Sequence, residues 1–217
     1  MAALAALRRR ARDAFWGALP PSRVIRRGPA TVKRVALTFD DGPQPETEAY
    51  LEAMDRLGVP GTFFLMGDLS SERPEMLREY TRRGHQLGAH GWNHHPFPTL
   101  GIGGLRDQLR RTEAVIGPQP TGRPWVRPPY GALSARSLAQ ILAEGLTIAM
   151  WSFDSYDYDA TDADQVVARC APEAIGPGEV LLFHEGHAHT LAALPRIVDG
   201  LHRAGYECVT MADLIAS

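Results

Sequence analysis

Two neighbouring carboxylates follow an apolar run near the start of the chain. Residues 35–39 read Val-Ala-Leu-Thr-Phe, and Asp40, Asp41, Gly42 and Pro43 come directly after them. Neighbouring side chains on a strand point to opposite faces, but a Gly-Pro turn bends the chain and lets both acids line one cleft. Two carboxylates this close repel each other, unless a cation neutralises one and the other acts as a base. The alternative is a solvated turn at the end of a strand.

A histidine-rich turn supplies the donors that a metal ion needs. His90 and His94 are four residues apart, so a helical turn would place both imidazoles on one side. Two neutral imidazoles and one carboxylate suit zinc, cobalt or iron, with open positions for water and substrate. A solvated loop is the alternative, and the adjacent His95 leaves the register open. His187 and His189 lie in a polar loop and are expected to be solvent-exposed unless they bind a metal.

Further polar groups follow other apolar runs. Arg127 precedes a Pro-Pro-Tyr-Gly turn, which fixes the guanidinium in place and favours the charged form of a nearby carboxylate. A backbone N–H near Tyr130 could point at a developing oxyanion. His184, if paired with a carboxylate such as Asp154 or Asp157, would keep its proton to higher pH and serve as a general acid. The alternatives are an exposed arginine and a structural histidine.

These groups fall at or just after the ends of predicted strands. Strand-like and helix-like segments alternate along the chain, which is typical of βα units and a parallel sheet. Strands are predicted at 34–39, 61–66, 85–89, 125–127, 147–153, 179–183 and 206–210, and helices at 46–57, 73–83, 104–116, 134–142, 162–174 and 191–204. This α/β pattern suits a distorted, incomplete (β/α) barrel of about seven parallel strands as well as a doubly wound sheet. In a barrel, the carboxyl ends of the strands form the face where catalytic groups gather.

Composition narrows the class of protein. The chain has 217 residues, of which 44% are hydrophobic and 22% charged, as expected for a soluble globular protein with a sizeable core. The net charge of −2 gives no overall attraction to nucleic acid, so no such partner is expected. Cys170 and Cys208 are far apart, which argues against a metal-thiolate site or a disulfide framework.

The amino end is basic. Residues 1–32 are predicted as an extension with a helix over 2–19, and residues 33–217 as the main domain. The helix could make peripheral contact with an anionic membrane, although a helix packed on the domain or a frayed terminus is favoured because its apolar face is small. No run approaches the roughly 18 apolar residues of a membrane span. The apolar residues 1–7 precede the arginines, the reverse of a secretory signal, which favours a cytoplasmic or membrane-peripheral protein. Export by another route stays open.

Five segments in order resemble the motifs of one enzyme family. They are TFDDGP at 38–43, HGWNH at 90–94, RPPYG at 127–131, DSYDY at 154–158 and LFH at 182–184. The chain from about residue 33 onward resembles the polysaccharide deacetylases that share the NodB homology domain, carbohydrate esterase family 4. The resemblance implies a distorted (β/α) barrel with fewer than eight full units. It also implies a metal-dependent hydrolase that removes N-acetyl groups from amino-sugar polymers or oligomers.

The resemblance also assigns roles to individual residues. It implies a general base at Asp40, metal ligands at Asp41, His90 and His94, an arginine that orients the base at Arg127, a general acid at His184 and a carboxylate that tunes this acid at Asp157. The metal would be one divalent ion, zinc first, with cobalt or another transition metal as alternatives. Water at the metal would be the nucleophile. Leu182 and Tyr158 would be walls of the acetyl pocket, and the N–H of Tyr130 would help to hold the oxyanion.

Two positions depart from the family pattern. Gly91 stands where the family usually has Ser or Thr, whose hydroxyl braces the metal loop, so weaker metal affinity is expected. Tyr158 stands where Trp is usual, so an altered acyl pocket is expected. No effect of Glu185, next to the acid histidine, follows from the sequence. Two alternative functions stay open: a deacylase or deformylase of a small or lipid-linked amino sugar, and an inactive carbohydrate-binding module.

Overall fold

A single curled sheet of parallel strands positions the predicted site residues. The structure, a computed structural model, describes residues 22–119 and 123–216. Within these residues nine strands pair in the order β1-β6-β5-β4-β3-β2-β8-β7, with β9 also beside β2. The strands are β1 Val24–Ile25, β2 Arg34–Gly42, β3 Thr62–Leu65, β4 Gln86–Ala89, β5 Trp125–Val126, β6 Thr147–Ala149, β7 Phe153–Asp154, β8 Val180–His184 and β9 Glu207–Val209.

Helices follow most of the strands and cover the outside of the sheet. They are α1 Thr47–Leu57, α2 Gly67–Glu72, α3 Pro74–Arg82, α4 Ile102–Ile116, α5 Ala135–Ala143, α6 Ala163–Arg169, α7 Ala188–Arg203 and α8 Met211–Ile215. In α1 the buried residues Tyr50, Leu51 and Met54 recur at three-to-four spacing, which gives the helix one apolar face. The helix ends at Gly58, whose φ of 66° is easily reached by glycine. None of the helices in the described ranges is both long and apolar enough for a bilayer crossing.

The predicted incomplete (β/α) barrel is confirmed, but its open side was not foreseen. Residues 147–153 read as one strand, whereas the structure splits them into β6, between β1 and β5, and β7, at the far end of the strand order beside β8. The chain between them bridges the gap, because the N–H of Met150 donates to Ile25 (2.7 Å) and that of Ser152 to Val180 (3.1 Å). The run has strand-forming side chains throughout, yet it pairs with a different edge of the sheet at each end.

Strand alternation separates the inner and outer faces of the sheet. Along β2, Leu37 and Phe39 belong to the large apolar cluster that packs against the helices. Ala36 belongs to a second cluster on the other face. Because side chains alternate, Thr38 and Asp40 follow Ala36 on that second face. The same strand therefore anchors the core through one face and delivers a carboxylate through the other.

The predicted domain boundary at residue 33 stays a prediction. Strand β1 lies within the predicted extension, and its Val24 pairs with Ile148 of β6, so this part of residues 1–32 belongs to the sheet. The predicted helix over 2–19 lies outside the described residues. Elements that the sequence did not indicate are β1, α2 and α8, all of which are short.

Candidate active site

The candidate base is held by a buried arginine. Asp40, 3% exposed, accepts a 2.7 Å hydrogen bond at Oδ1 from Nη1 of Arg127. Arg127 is fully buried, and its other donors reach Thr38 Oγ1 (2.8 Å) and the carbonyls of Ala149 (3.3 Å) and Met150 (3.1 Å). Burial lowers the pKa of Arg127, while the charge of Asp40 opposes this shift. The pair thus orients the carboxylate and balances its charge.

The three predicted metal ligands, Asp41, His90 and His94, lie close together next to Asp40. Oδ1 of Asp41 lies 3.2 Å from Nε2 of His94 and 3.4 Å from Nε2 of His90. One donor atom from each residue lies within 4.8 Å of the other two. Oδ1 of Asp41 is buried, and nothing in the described part of the chain donates a hydrogen bond to it. A buried carboxylate oxygen without a donor beside two imidazole nitrogens fits a divalent cation.

Local backbone contacts aim the two imidazoles. Nδ1 of His90 donates to the carbonyl of Arg127 (2.8 Å), which leaves Nε2 to face Asp41. Burial lowers the pKa of His94, which favours the neutral form that a metal ligand requires. Asp41 and His94 both have positive φ values, 70° and 59°, a conformation that costs free energy outside glycine. Backbone strain in two separate segments, one at the end of β2 and one after β4, therefore accompanies the close approach of the donors.

A side-chain amide braces the loop that carries both histidines. Oε1 of Gln108, from α4, accepts from the N–H of Trp92 (2.6 Å), and its Nε2 donates to Oδ1 of Asn93 (2.7 Å). Gly91 in the same loop has a φ of 80°, and a Cβ built there would lie 3.1 Å from Cε1 of Phe97. The loop is thus supported from a helix by Gln108, a residue that no sequence motif singles out. The predicted weaker metal affinity stays a prediction.

The candidate acid is paired with a buried carboxylate. Nδ1 of His184 lies 2.8 Å from Oδ1 of Asp157, and Oδ2 of Asp157 accepts from the N–H of His184 (2.8 Å) and from Thr190 (2.9 Å). Burial alone would lower the pKa of His184, but this hydrogen bond and the charges of Asp40, Asp157 and Asp41 raise the pKa to about 9. Burial would raise the pKa of Asp157, and its bonds to His184 hold the pKa below the usual value.

One cavity of about 390 Å³ joins these groups. Eight of the ten predicted site residues line it, namely Asp40, Asp41, His90, His94, Tyr130, Tyr158, Leu182 and His184. The other two stand behind the lining, Arg127 behind Asp40 and Asp157 behind His184. The cavity lining also includes Trp151, Asp154 and His187.

Aromatic side chains form the exposed rim of the cavity. Tyr130, at the tip of its proline turn with a φ of 59°, is 69% exposed and its ring lies 4.4 Å from that of His94. The ring of Tyr158 meets that of His184 edge-on at 5.4 Å. Leu182 is buried at the cavity wall. These surfaces leave the centre of the site open between apolar walls.

The expected exposure of two later histidines is wrong. His187 and His189 are both half-buried, because α7 begins at this point of the chain and packs them against Asp157 and His184. Nε2 of His189 bonds the carbonyl of Asp157 (2.8 Å), and the two imidazoles stack with centroids 5.1 Å apart. Burial lowers the pKa of His187. A polar sequence predicts exposure here, whereas the contact with Asp157 depends on where α7 lies, which the local sequence does not show.

Comparison with known proteins identifies the family. A family model described as polysaccharide deacetylase matches residues 27–149, more than half of the 217 residues. The chain belongs to the polysaccharide deacetylase family. The chain shares 33% identity over 186 residues with the peptidoglycan-N-acetylglucosamine deacetylase PgdA of Listeria monocytogenes, covering 85% of the chain but only 39% of that relative. It also shares 30% identity over 204 residues with a chitooligosaccharide deacetylase of Sinorhizobium fredii, covering 85% and 93% of the two chains.

Solved structures of the family have the same fold. The Bc1960 peptidoglycan N-acetylglucosamine deacetylase superposes on the domain with a TM-score of 0.83 at 27% identity, covering 90% of this chain and 94% of the other. BA3943 of Bacillus anthracis superposes with a TM-score of 0.80 at 26% identity, covering 91% and 70%, and is described as a carbohydrate esterase family 4 pseudoenzyme. Shared fold within this family therefore does not by itself separate active members from inactive ones.

Proposed function

We propose that this domain is a metal-dependent hydrolase that removes N-acetyl groups from an amino-sugar polymer or oligomer. The observation that carries the proposal is the joint presence, on one cavity, of an arginine-held carboxylate, a three-donor cation site and a carboxylate-paired histidine. Relatives described as peptidoglycan and chitooligosaccharide deacetylases support this class of substrate. The complete set of groups favours an active enzyme over a pseudoenzyme or a binding module.

The Asp41, His90 and His94 donors would hold one divalent ion, with zinc the first choice for two imidazoles and a carboxylate. When bound, such an ion polarises a carbonyl and makes water a stronger nucleophile at neutral pH. The chain itself supplies the proton transfers. Asp40 takes a proton from the attacking water, and the Arg127 ion pair keeps its carboxylate aimed at the cavity.

The histidine completes the exchange of protons. His184 carries a proton at neutral pH, because the pKa is raised to about 9, and donates it from Nε2 to the leaving amine as the C–N bond breaks. Asp157 stabilises the imidazolium and fixes its orientation through Nδ1. The N–H of Tyr130 would face the developing oxyanion, while Tyr158 and Leu182 would bound the acyl group. Water and amide thus become acetate and a free amine.

Acetate release from N-acetylglucosamine oligomers tests the proposal. The purified protein would be assayed stripped of metal, restored with zinc, and as the Asp40→Asn variant, with Asp55→Asn as a control acid outside the cavity. We expect release to require zinc, to fall at least about 100-fold in Asp40→Asn, as loss of a general base predicts, and to persist in Asp55→Asn. Release that is equally fast without metal or without Asp40 would refute the mechanism.

The acyl group and the size of the sugar form a second part of the test. Tyr158 lines the cavity at a position where the family usually has Trp, which motivates a comparison of acyl groups and of short or lipid-linked amino sugars with the polymer. Formylated, acetylated and polyprenyl-linked amino sugars would be compared with the polymer. Equal rates with and without the lipid would count against the lipid-linked substrate.

A further inference from the structure

Glu185 follows the acid histidine yet faces away from the cavity. Its side chain points to the outer face of the sheet and is 3% exposed. Oε2 accepts from Oγ1 of Thr47 (2.6 Å) and from the N–H of Gln44 (3.3 Å), and Oε1 accepts from the hydroxyl of Tyr80 (2.7 Å). Burial raises the pKa of Glu185 to about 7, and these hydrogen bonds limit the rise. A buried carboxyl is costly, so its complete set of partners points to a specific role.

The partners of Glu185 are linked by hydrogen bonds to the segment that follows Asp40 and Asp41, because Thr47 accepts from the N–H of Gln44 and contacts the hydroxyl of Tyr80. The N–H of Glu185 donates to the carbonyl of Asp40 (3.0 Å). Glu185 therefore contacts one end of this segment through its backbone and the other end, at Thr47, through its side chain. A Cβ on Gly42 would lie 2.6 Å from Oε2 of Glu185, so the carboxyl fits because residue 42 has no side chain. The turn at Gly42 and the carboxyl of Glu185 therefore pack directly against each other.

The contact continues to the backbone of the candidate metal ligand. Gln44, whose N–H is held by Glu185 and by Oγ1 of Thr47 (2.8 Å), donates from Nε2 to the carbonyl of Asp41 (2.6 Å). Asp41 has a φ of 70°, a conformation that needs support from its surroundings. We infer that Glu185 is a positioning residue, which fixes the strained Asp41 turn against the strand end that carries His184. The inference rests on the proposed function and adds a residue that its motifs leave without a role.

This role predicts an effect on metal affinity as well as on turnover. Partners that orient metal ligands typically change affinity or activity by about 10–100-fold when they are removed. In Glu185→Leu, we expect the zinc dissociation constant, measured by chelator competition, to rise at least about 10-fold. We expect kcat to fall by a similar factor with KM little changed, because the cavity walls are intact. Glu185→Gln should stay within about threefold of wild type, because an amide can accept from Thr47 and donate to the oxygen of Tyr80.

A matched pair of tyrosine variants keeps the test decisive if Glu185→Leu does not fold. Tyr80→Phe removes one hydrogen bond from Glu185, whereas Tyr206→Phe removes one buried hydroxyl bond, to Ile175 (2.6 Å), far from the site. We expect Tyr80→Phe to bind zinc more weakly than the wild type, and Tyr206→Phe to bind zinc with wild-type affinity. Equal zinc affinity in both, or wild-type affinity in a folded Glu185→Leu, would overturn the inference.

Zinc binding is read without any substrate, so the two proposals can fail separately. A wild-type protein that binds zinc but deacetylates none of the sugars tested would refute the proposed substrate and leave the test of Glu185 intact. A wild-type protein that binds no zinc would overturn both the metal site and the role of Glu185.

Discussion

Two side chains of the candidate site each depend on a buried partner, which sets the protonation of one and the orientation of the other. Burial lowers the pKa of His184, but its hydrogen bond to Asp157, together with the charges of nearby carboxylates, raises the pKa to about 9. Asp40 is held in the same manner by Arg127, a residue that reaches no solvent. Removing a partner leaves the reacting group present but alters its protonation or its aim. Changes at the partners are therefore the sharper tests.

Asp157→Asn should move the alkaline limit of activity to lower pH. We expect wild-type activity to fall as pH rises through about 9, because deprotonated His184 could no longer donate a proton to the leaving amine. Without the hydrogen bond and charge of Asp157, burial is opposed only by the charges of Asp40 and Asp41, so the pKa of His184 should fall. The pH profile of kcat/KM measures this shift, and Asp159→Asn, at a nearby acid outside the cavity lining, serves as the control. An unmoved alkaline limb in Asp157→Asn would exclude this pair as the acid.

Restoring the hydroxyl that is usual in the family should not help this chain. Gly91 has a φ of 80° and a neighbouring ring 3.1 Å from any Cβ, so Gly91→Ser should lower the free energy of unfolding by about 1–2 kcal/mol. Gly103→Ser has open space around its Cβ and is the matched control. Urea unfolding of both variants measures the difference. A more stable Gly91→Ser would show that the loop relaxes to accept the side chain.

The lining of the site could be predicted from sequence, but its supports could not. Residues such as Asp40 and His184 come at the ends of apolar runs. Alternation predicts these runs as strands, and barrel geometry places the strand ends on one face. Gln108 and Glu185 act through contacts with residues 15 and 141 positions away, and no local pattern encodes such partners. Strand ends bring the candidate reacting groups together, whereas residues distant in sequence support them.

Among the elements, the loop after β4 depends most on a neighbour. Its backbone is held at Trp92 and Asn93 by Gln108 of α4, and the carbonyls of Gly91 and Trp92 accept from the amino end of α2. This loop carries both candidate histidine ligands, so its position sets the separation of their nitrogens. Metal affinity should therefore respond to a residue on a helix that touches no ligand.

Gln108→Leu should weaken zinc binding by about 10-fold, because the loop loses both amide contacts while the helix keeps its apolar packing. Gln108→Glu keeps the acceptor for Trp92 and should lie between wild type and leucine. Gln140→Leu on α5, whose amide bonds Ile102 away from the loop, is the control. Chelator competition gives the affinities. If Gln108→Leu and Gln140→Leu bind zinc equally, the loop does not need this brace.

Element type was more predictable than element pairing. The strands from β2 to β9 and the longer helices follow from alternation, three-to-four spacing and glycine stops. The division of 147–153 between two sheet edges depends on which neighbours the chain meets, so the side chains alone could not show it. The same crossing presents Trp151 to the cavity and the carbonyl of Met150 to Arg127. The break in the barrel thus contributes directly to the site.

In the molecule as a whole, the candidate cation site joins parts of the chain that are distant in sequence. Its donors come from the ends of β2 and the loop after β4, and the partners of Asp40 and His90 meet at Arg127 after β5. Such an arrangement exists only in the folded chain, so a bound ion stabilises the native state by mass action. Global unfolding therefore reports on the local site.

Zinc at 100 times its dissociation constant should raise the free energy of unfolding by about 2.7 kcal/mol. For a domain of this size the melting temperature should rise by about 5–10 °C. Asp41→Asn should lose most of this rise, because it removes the one carboxylate in the donor set, while the exposed control Asp107→Asn should keep it. Thermal unfolding with and without zinc measures both. An equal rise in Asp41→Asn would mean that zinc stabilises the protein from another site, which would separate metal binding from the catalytic cavity.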